Sequence, residues 1–527
     1  MAVWNRIGWR RHGKGWGVVL RTLIQRLGIA ESVRYHSTMI SRPPFGVSAR
    51  KAISLLLCMT LAATPPVFGD SLPDLGESAR ADLSPQLEKK IGDSIMNDIR
   101  LHEPTYVDDP EVSDYVNRLG QRLVSASTNP GGDFHFFVIR DGQVNAFAMF
   151  GGFIGINTGT ILTAQSESEL AGVVAHEISH VTQSHLARQI SAQKQQSVLG
   201  MIAMAVALLA ARSNSQAAGG AMVGAEAAMV QSQLAYSRGF EREADRVGYD
   251  ILEKAGFDPR GMSEFFERLQ RSTRVYENNA PVYMRSHPIT VERISDMQNR
   301  QQRAPYKQIR DSLDFHLVRA KLRAQLGSPK EAVSDFETLL RERKFASETA
   351  VHYGHAYALF RAKKYVQAEQ ELEMVRRQKS GSAMAEDLAG EIKAASGDLA
   401  SATNIFREAL QRFPLSRALA YGYADTLFSQ RSYDRLQVFL DEQLQLYPSD
   451  PKLYGLLAKT HAVQGRKLQQ HRALAEMYIL QGRLIQAIEQ LQFAQRAGDG
   501  NFYEQSVVDA RLRELKKQQL EEMKQKK

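Results

Sequence analysis

The chain has 527 residues, 67 Lys or Arg against 58 Asp or Glu, a formal charge of +9 and one cysteine. That length exceeds what one hydrophobic core organises and predicts two or three domains, while a lone cysteine excludes a disulfide framework. The charge excess lies entirely in residues 1–69, where ten basic residues face the single acid Glu31, so the rest is neutral and shows no footprint for nucleic acid.

Those 69 residues end in an ordered pattern. Arg50 and Lys51 precede the apolar run AISLLLCMTLAA (Ala52–Ala63), then TPPVFG and an acidic stretch. A basic segment, an apolar segment too short to cross a bilayer and a small-residue cleavage site after Gly69 predict a signal peptide. Residues 1–69 therefore read as leader and signal, with Met39 as an alternative start of more ordinary length. Cys58 follows Leu57, where a lipoprotein signal requires a small residue, so it reads as part of the apolar segment. No other segment reaches the 18 or so apolar residues of a membrane span. The expectation is an exported protein of a bacterial periplasm, with peripheral membrane contact open.

Residues 78–128 carry helical apolar spacing, and Phe134 to Ile161 switch to β-rich residues broken by Gly-Gly and Asn-Thr-Gly, predicting two or three short strands. Helices resume at Ser166 with ESELAGVVAHEISHVTQSHLARQI, whose Ser166–Glu169 spacing matches a capping box. The run VLGMIAMAVALLAA (Val198 to Ala211) is either a buried helix packed on this one or a mobile surface for lipid or unfolded chains. This first folded domain is taken as 70–305.

A period appears over 306–527. Ala332 with Phe336, Ala368 with Leu372, Ala402 with Phe406, Leu436 with Leu440 and Ala487 with Leu491 each set a small or apolar residue four before a large one. The first four pairs recur about every 34 residues, and Pro414 and Pro448 close two of the units. The Leu491 pair is half a repeat out of phase, which predicts an odd helix near 451–467. The series resembles a tetratricopeptide-repeat array, with an unrelated helical bundle as the plainer alternative; such an array stacks into a solenoid whose concave face binds partner proteins.

The chemistry concentrates at AGVVAHEISHVTQSH. Four residues turn an α-helix through about 400°, so His176 and His180 share a face and can share a tetrahedral Zn²⁺. Glu177 stands where H-E-x-x-H sites place the general base for the attacking water. A third ligand is needed. His185, five residues past His180 and about 140° round the helix, points away and reads as a surface or helix-end histidine. In YSRGFEREADRVGYDIL, Glu241 and Asp245 lie four apart on a second helix: Glu241 would complete a His₂Glu set and Asp245 would accept the N–H of a ligand histidine. The bland alternative is a charged helix face.

HEISH followed by Glu241-Arg-Glu-Ala-Asp245 resembles the HtpX and CAAX-prenyl-protease family of zinc metallopeptidases. NAFAMFGG from Asn145 is similar to that family's strand before the site helix, and SHPITVERI around His287 to its later His-Pro motif. The resemblance implies a fold that is mainly α with a small β-sheet: a gluzincin-like metallopeptidase domain followed by an α-solenoid of tetratricopeptide repeats. It implies one Zn²⁺ per chain held by His176, His180 and Glu241, with Glu177 as catalytic base and Asp245 in a supporting or proton-donor role. His287 matches a residue that occludes the open metal position, or is a histidine packed at the turn before Pro288; Arg293 is a family arginine near the site, or a plain salt bridge. With the export signal and the repeats, the resemblance further implies unfolded or misassembled outer-membrane proteins as substrates and docking to the β-barrel assembly machinery. The competing reading is a chaperone or scaffold with a latent or structural zinc site.

Overall fold

A computed structural model describes residues 83–192, 238–273, 281–301, 309–377 and 381–525. The predicted signal peptide, Cys58 and the Val198–Ala211 run lie outside the described residues. All described residues belong to one compact unit.

Two helices, α1 (Pro85–His102) and α2 (Pro110–Ser125), lead in, each with Pro in its first turn and a side-chain N-cap, Ser84 and Asp109. The β-rich stretch forms three strands, β1 (His135–Ile139), β2 (Ala146–Ala148) and β3 (Phe153–Asn157), in the order β1-β3-β2. β1 runs parallel to β3, and β2 pairs antiparallel with it from Ala146 opposite Ile156 to Ala148 opposite Ile154. Gly151 and Gly152, with φ of 73° and 80°, make the turn from β2 to β3. A Cβ at Gly152 would lie 2.2 Å from the Asp133 carbonyl, so the sharp return that leaves β2 on the sheet edge requires glycine.

After the short α3 (Thr158–Thr163) comes the central helix α4 (Glu167–Thr182), buried at every residue from Glu167 to His180. A helix covered on all sides belongs to the middle of a core, so each polar group on it must find a partner or a ligand. The expected capping box is half realised. The Ser166 hydroxyl accepts from the Glu169 N–H, while the Glu169 carboxylate turns to the Gln165 N–H and to Arg268. The predicted continuous helix also breaks, at Gln183–Ser184, where Ser184 has φ 51°, and α5 (His185–Ala192) starts in a new direction. Packed around α4 are α6 (Arg238–Lys254) and α7 (Arg260–Thr273), followed by α8 (Val282–Ser286) and α9 (Val291–Gln301).

The repeats run as hairpins: α10 (Leu313–Ala324), α11 (Pro329–Glu342), α12 (Glu348–Arg361), α13 (Tyr365–Arg376), α14 (Ala383–Ala395), α15 (Leu399–Arg412), α16 (Arg417–Ser429) and α17 (Tyr433–Leu446). Then follow α18 (Pro451–Val463), α19 (Lys467–Leu480), α20 (Leu484–Gln495) and α21 (Phe502–Gln525). The periodic pairs all lie inside: Ala332, Phe336, Ala368, Leu372, Ala402, Phe406, Leu436, Leu440, Ala487 and Leu491 are buried. Small residues on neighbouring helices make room for the large member of a pair, as Gly390 and Gly422 do for the Phe406 ring. Two helices, α18 and α19, separate α17 from α20, which accounts for the half-repeat phase shift before Leu491.

The hydrophobic core does not stop at residue 305. One cluster runs from Val107 and Tyr115 through α4 and on to Phe336, Tyr353 and Ile392. Polar contacts cross with it: Arg417 of α16 donates to Asp114 of α2 at 3.0 Å, and Lys321 of α10 meets Glu111 of α2 and its N-cap Asp109.

Candidate metal centre

Close helix contacts set the site. Gly172 of α4 lies where a Cβ would come within 2.8 Å of the Met262 Cα on α7, and a Cβ on Gly248 of α6 would lie 3.2 Å from the Ala175 backbone. This approach brings Glu241 and Asp245 of α6 up to the histidines of α4. His287, just past α8, enters from another side, its N–H on the Tyr283 carbonyl at 2.8 Å and its ring stacked on Tyr283 at 4.8 Å.

His176, His180, Glu241 and His287 converge, all buried, with one potential ligand atom from each inside a 4.8 Å sphere of mutual distances. His176 Nε2 lies 3.0 Å from His180 Nε2, 3.4 Å from His287 Nδ1 and 3.5 Å from Glu241 Oε2. Glu241 Oε1 lies 3.6 Å from His180 Nε2 and 3.0 Å from His287 Nδ1. Around a tetrahedral Zn²⁺ with bonds of about 2.0–2.1 Å, ligand atoms stand roughly 3.3–3.5 Å apart, so this donor set has the spacing and chemistry of a zinc site. Glu177, also fully buried, is not one of the four; its Oε1 lies 3.7 Å from His287 Nε2.

A second ring of groups holds the first. His176 Nδ1 lies 3.1 Å from Asp245 Oδ1, and Arg293 binds both Asp245 oxygens, from Nε at 2.6 Å and Nη2 at 2.7 Å. Arg293 Nη1 also reaches Glu241 Oε2 at 2.7 Å and the Pro288 carbonyl at 2.8 Å. The arginine therefore joins α6 to the turn that carries His287.

The electrostatics follow from burial and pairing. Burial works against the His176 cation, but the bonds to Asp245 and Glu241 carry its pKa up to about 9. For His180, burial and then the neighbouring His176 charge push well below the ordinary histidine value. Burial raises Glu177. It also opposes the Glu241 charge, yet His287 and His176 hold that carboxylate well down; for Asp245 burial is likewise overcome, and Arg293 lowers its pKa.

Each predicted site residue thus lies at one locus: the four converging donors, Glu177 beside them, Asp245 and Arg293 behind. His185 was misplaced by the sequence. It is buried, with Nδ1 3.0 Å from His180 Nδ1, because the break at Ser184 returns it to the site instead of carrying it round a continuing helix. Burial outweighs the Glu243 carboxylate beside it and pushes its pKa down to about 4. Glu243, 3.2 Å from His185 Nε2, was likewise missed. No local periodicity marks either residue.

Residues 110–301 match Peptidase family M48, and residues 393–466 match a tetratricopeptide repeat family. The chain is 32% identical to the β-barrel assembly-enhancing protease of Escherichia coli (strain K12) and also to that of Yersinia pestis, in each case over 88% of this chain and 96% of the relative. It is 25% identical to the mitochondrial metalloendopeptidase OMA1 of Schizosaccharomyces pombe, over 43% of this chain and 61% of that one. With a convergent zinc donor set on an H-E-x-x-H helix and repeats beyond it, the chain belongs to the β-barrel assembly-enhancing protease family of M48 zinc metallopeptidases.

Proposed function

We propose that this metallopeptidase is an endopeptidase of periplasmic quality control, exported by a cleaved signal peptide, which degrades misfolded or stalled outer-membrane β-barrel proteins, assists their assembly and docks through its repeats to the machinery that inserts them. The observation that carries the reading is the buried His176–His180–Glu241 set with Glu177 beside it but outside it, at the edge of a small sheet. A zinc ion held there would polarise a scissile carbonyl and bring the pKa of a bound water to about 7. Glu177 takes the proton of the attacking water and passes it to the leaving amine, and its burial-raised pKa suits a group that must both accept and release. Asp245 accepts the His176 Nδ1–H and so keeps Nε2 free to ligate. Arg293 favours the ionised form of Asp245 and holds both Asp245 and Glu241 in place.

β2 lies on the sheet edge and packs against α4, so an extended polypeptide can add to it as a strand. Backbone pairing reads main chain more than side chain. That selects for unfolded segments of high β-propensity, the state of a barrel strand before insertion.

His287 Nδ1, 3.4 Å from His176 Nε2 and 3.0 Å from Glu241 Oε1, would take the ligand position that a catalytic zinc site keeps for water and substrate. We read it as a self-inhibiting ligand that must withdraw before turnover. His287→Ala is therefore expected to raise basal cleavage of an unfolded substrate several-fold at unchanged zinc content; equal or lower activity with zinc retained would sink the inhibitory role. A closed position also favours the second reading, a scaffold with a structural zinc, and Glu177 separates the two because a structural site has no use for a buried base.

The test takes the purified mature chain and offers it an unfolded outer-membrane β-barrel protein, the same protein folded, and an unfolded soluble protein. Expected is cleavage of the unfolded barrel, sparing of the folded one, loss on chelation and recovery with zinc. Equal cleavage of the soluble protein would remove the substrate preference. No cleavage of any substrate by either wild type or His287→Ala would remove the endopeptidase reading.

A further inference from the structure

Both histidines of α4 face the same problem. Each must offer Nε2 as a bare lone pair, which places its proton on Nδ1, and a buried N–H needs an acceptor. For His176 that acceptor is Asp245. For His180 the atom at Nδ1 is not a carboxylate but the Nδ1 of another histidine, His185, 3.0 Å away. Two ring nitrogens at that distance share one proton. If His180 donates, His185 Nδ1 accepts, and the His185 proton sits on Nε2, which lies 3.2 Å from Glu243 Oε2. The proton count then closes with one proton on each ring and the charge at the outer end.

We infer that Glu243 and His185 form a relay that fixes the tautomer and ring orientation of His180, making both of them positioning residues for the metal site. The inference rests on the reading of His180 as a ligand. The relay is built to hold still. The His185 ring stacks on Phe240 with centroids 4.6 Å apart and planes 13° apart. Arg188 lies over the same Phe240 ring at 4.6 Å and binds Glu243 Oε2 at 3.0 Å. Ser184, in the left-handed region, makes the turn that brings His185 back to His180. A carboxylate on the far side of an imidazole raises the basicity of the ligand it supports, and loss of such a partner typically weakens metal affinity by about 10–100-fold. Here that influence passes through one additional ring.

The experiment uses the full mature chain and measures zinc affinity by competition with a chromogenic chelator, together with the visible absorption of the cobalt-substituted protein. His185→Leu fills the space without an acceptor and is expected to bind zinc about 10–100-fold more weakly with shifted cobalt bands. His185→Gln, whose carbonyl oxygen can accept the Nδ1–H, should restore most of the affinity, which a packing role alone would not predict. Glu243→Ala removes the acceptor at a side chain 32% exposed, so the fold survives, and should weaken zinc by a smaller factor; if His185→Leu fails to fold, this variant decides. Wild-type affinity and an unchanged cobalt spectrum in the folded variants overturn the relay. His180→Ala separates the levels: if it keeps zinc, the ligand reading itself falls; if it loses zinc while His185→Leu and Glu243→Ala do not, only the relay falls.

Discussion

Glu177→Gln is expected to bind one zinc per chain and to lose about a thousandfold in kcat/KM, about 4 kcal/mol of barrier, within the range of removing a positioned general base. The substitution is nearly isosteric, and Glu177 is not among the four converging groups, so the donor set stays intact. Its surroundings make the change mild for folding. Burial already raises its pKa, so an uncharged side chain costs little in the folded state. The comparison is made in the His287→Ala background, where basal turnover is higher and the drop is measurable, with zinc content determined alongside. Residual activity within tenfold of the parent would remove Glu177 from the role of base. The same variant placed in cells asks the larger question: full support of outer-membrane assembly by a zinc-loaded, inactive chain would make the scaffold activity the principal one.

The sequence displayed this site because its signals are local. His176 with His180, and Glu241 with Asp245, are each one helical turn apart, and two such pairs need only their helices to meet. The repeats were legible for the same reason, since each small-large pair recurs at a fixed spacing and each lands in the core. What depends on a single backbone torsion was not legible. His185 was assigned by continuing an ideal helix through Gln183 and Ser184, and a φ of 51° at Ser184 reverses that result. Glu169 shows the same limit on a smaller scale: its spacing from Ser166 fits a capping box, but Arg268, 99 residues away, competes for the carboxylate. For Arg293 the motif allows both a place near the site and a plain salt bridge, and the side chain does both, buried against Asp245 and touching Glu241. The junction near residue 305 was hidden for a further reason. A composition change marks where periodicity changes, whereas the core is continuous across it, so removal of the repeats would expose α2 and free Glu167 at the start of α4 from Asp311 and Ser312.

That continuity has one electrostatic keystone. Lys321 of α10 is buried, with Nζ 2.7 Å from Asp109 Oδ2 and 2.5 Å from Glu111 Oε2 of α2. Asp387 and Glu391 of α14 add their field to the same cluster, and Tyr353 and Tyr357 wall it. Removal of one partner from a buried ion pair leaves uncompensated charge and costs about 3–5 kcal/mol, so Lys321→Met is expected to destabilise the folded unit by that order. The pH dependence identifies the cause. Burial, only partly offset by Lys321, pushes the Glu111 carboxyl up to about 7, whereas in the unfolded chain it titrates near its ordinary value of about 4.3. A carboxyl raised in this way binds more protons folded than unfolded between those values, so its contribution is complete below about 4.3 and is lost as pH rises through about 7. Without the lysine the carboxylates hold their protons still more tightly. The deficit of Lys321→Met should therefore be largest near pH 8 and shrink towards pH 5, as read from urea unfolding of both proteins at the two values. Glu111→Leu added to Lys321→Met removes one stranded charge and should recover part of the loss at pH 8. A deficit equal at both pH values, or no recovery in the double variant, would show that Lys321 acts by packing and that the union of α2 with the repeats does not depend on its charge.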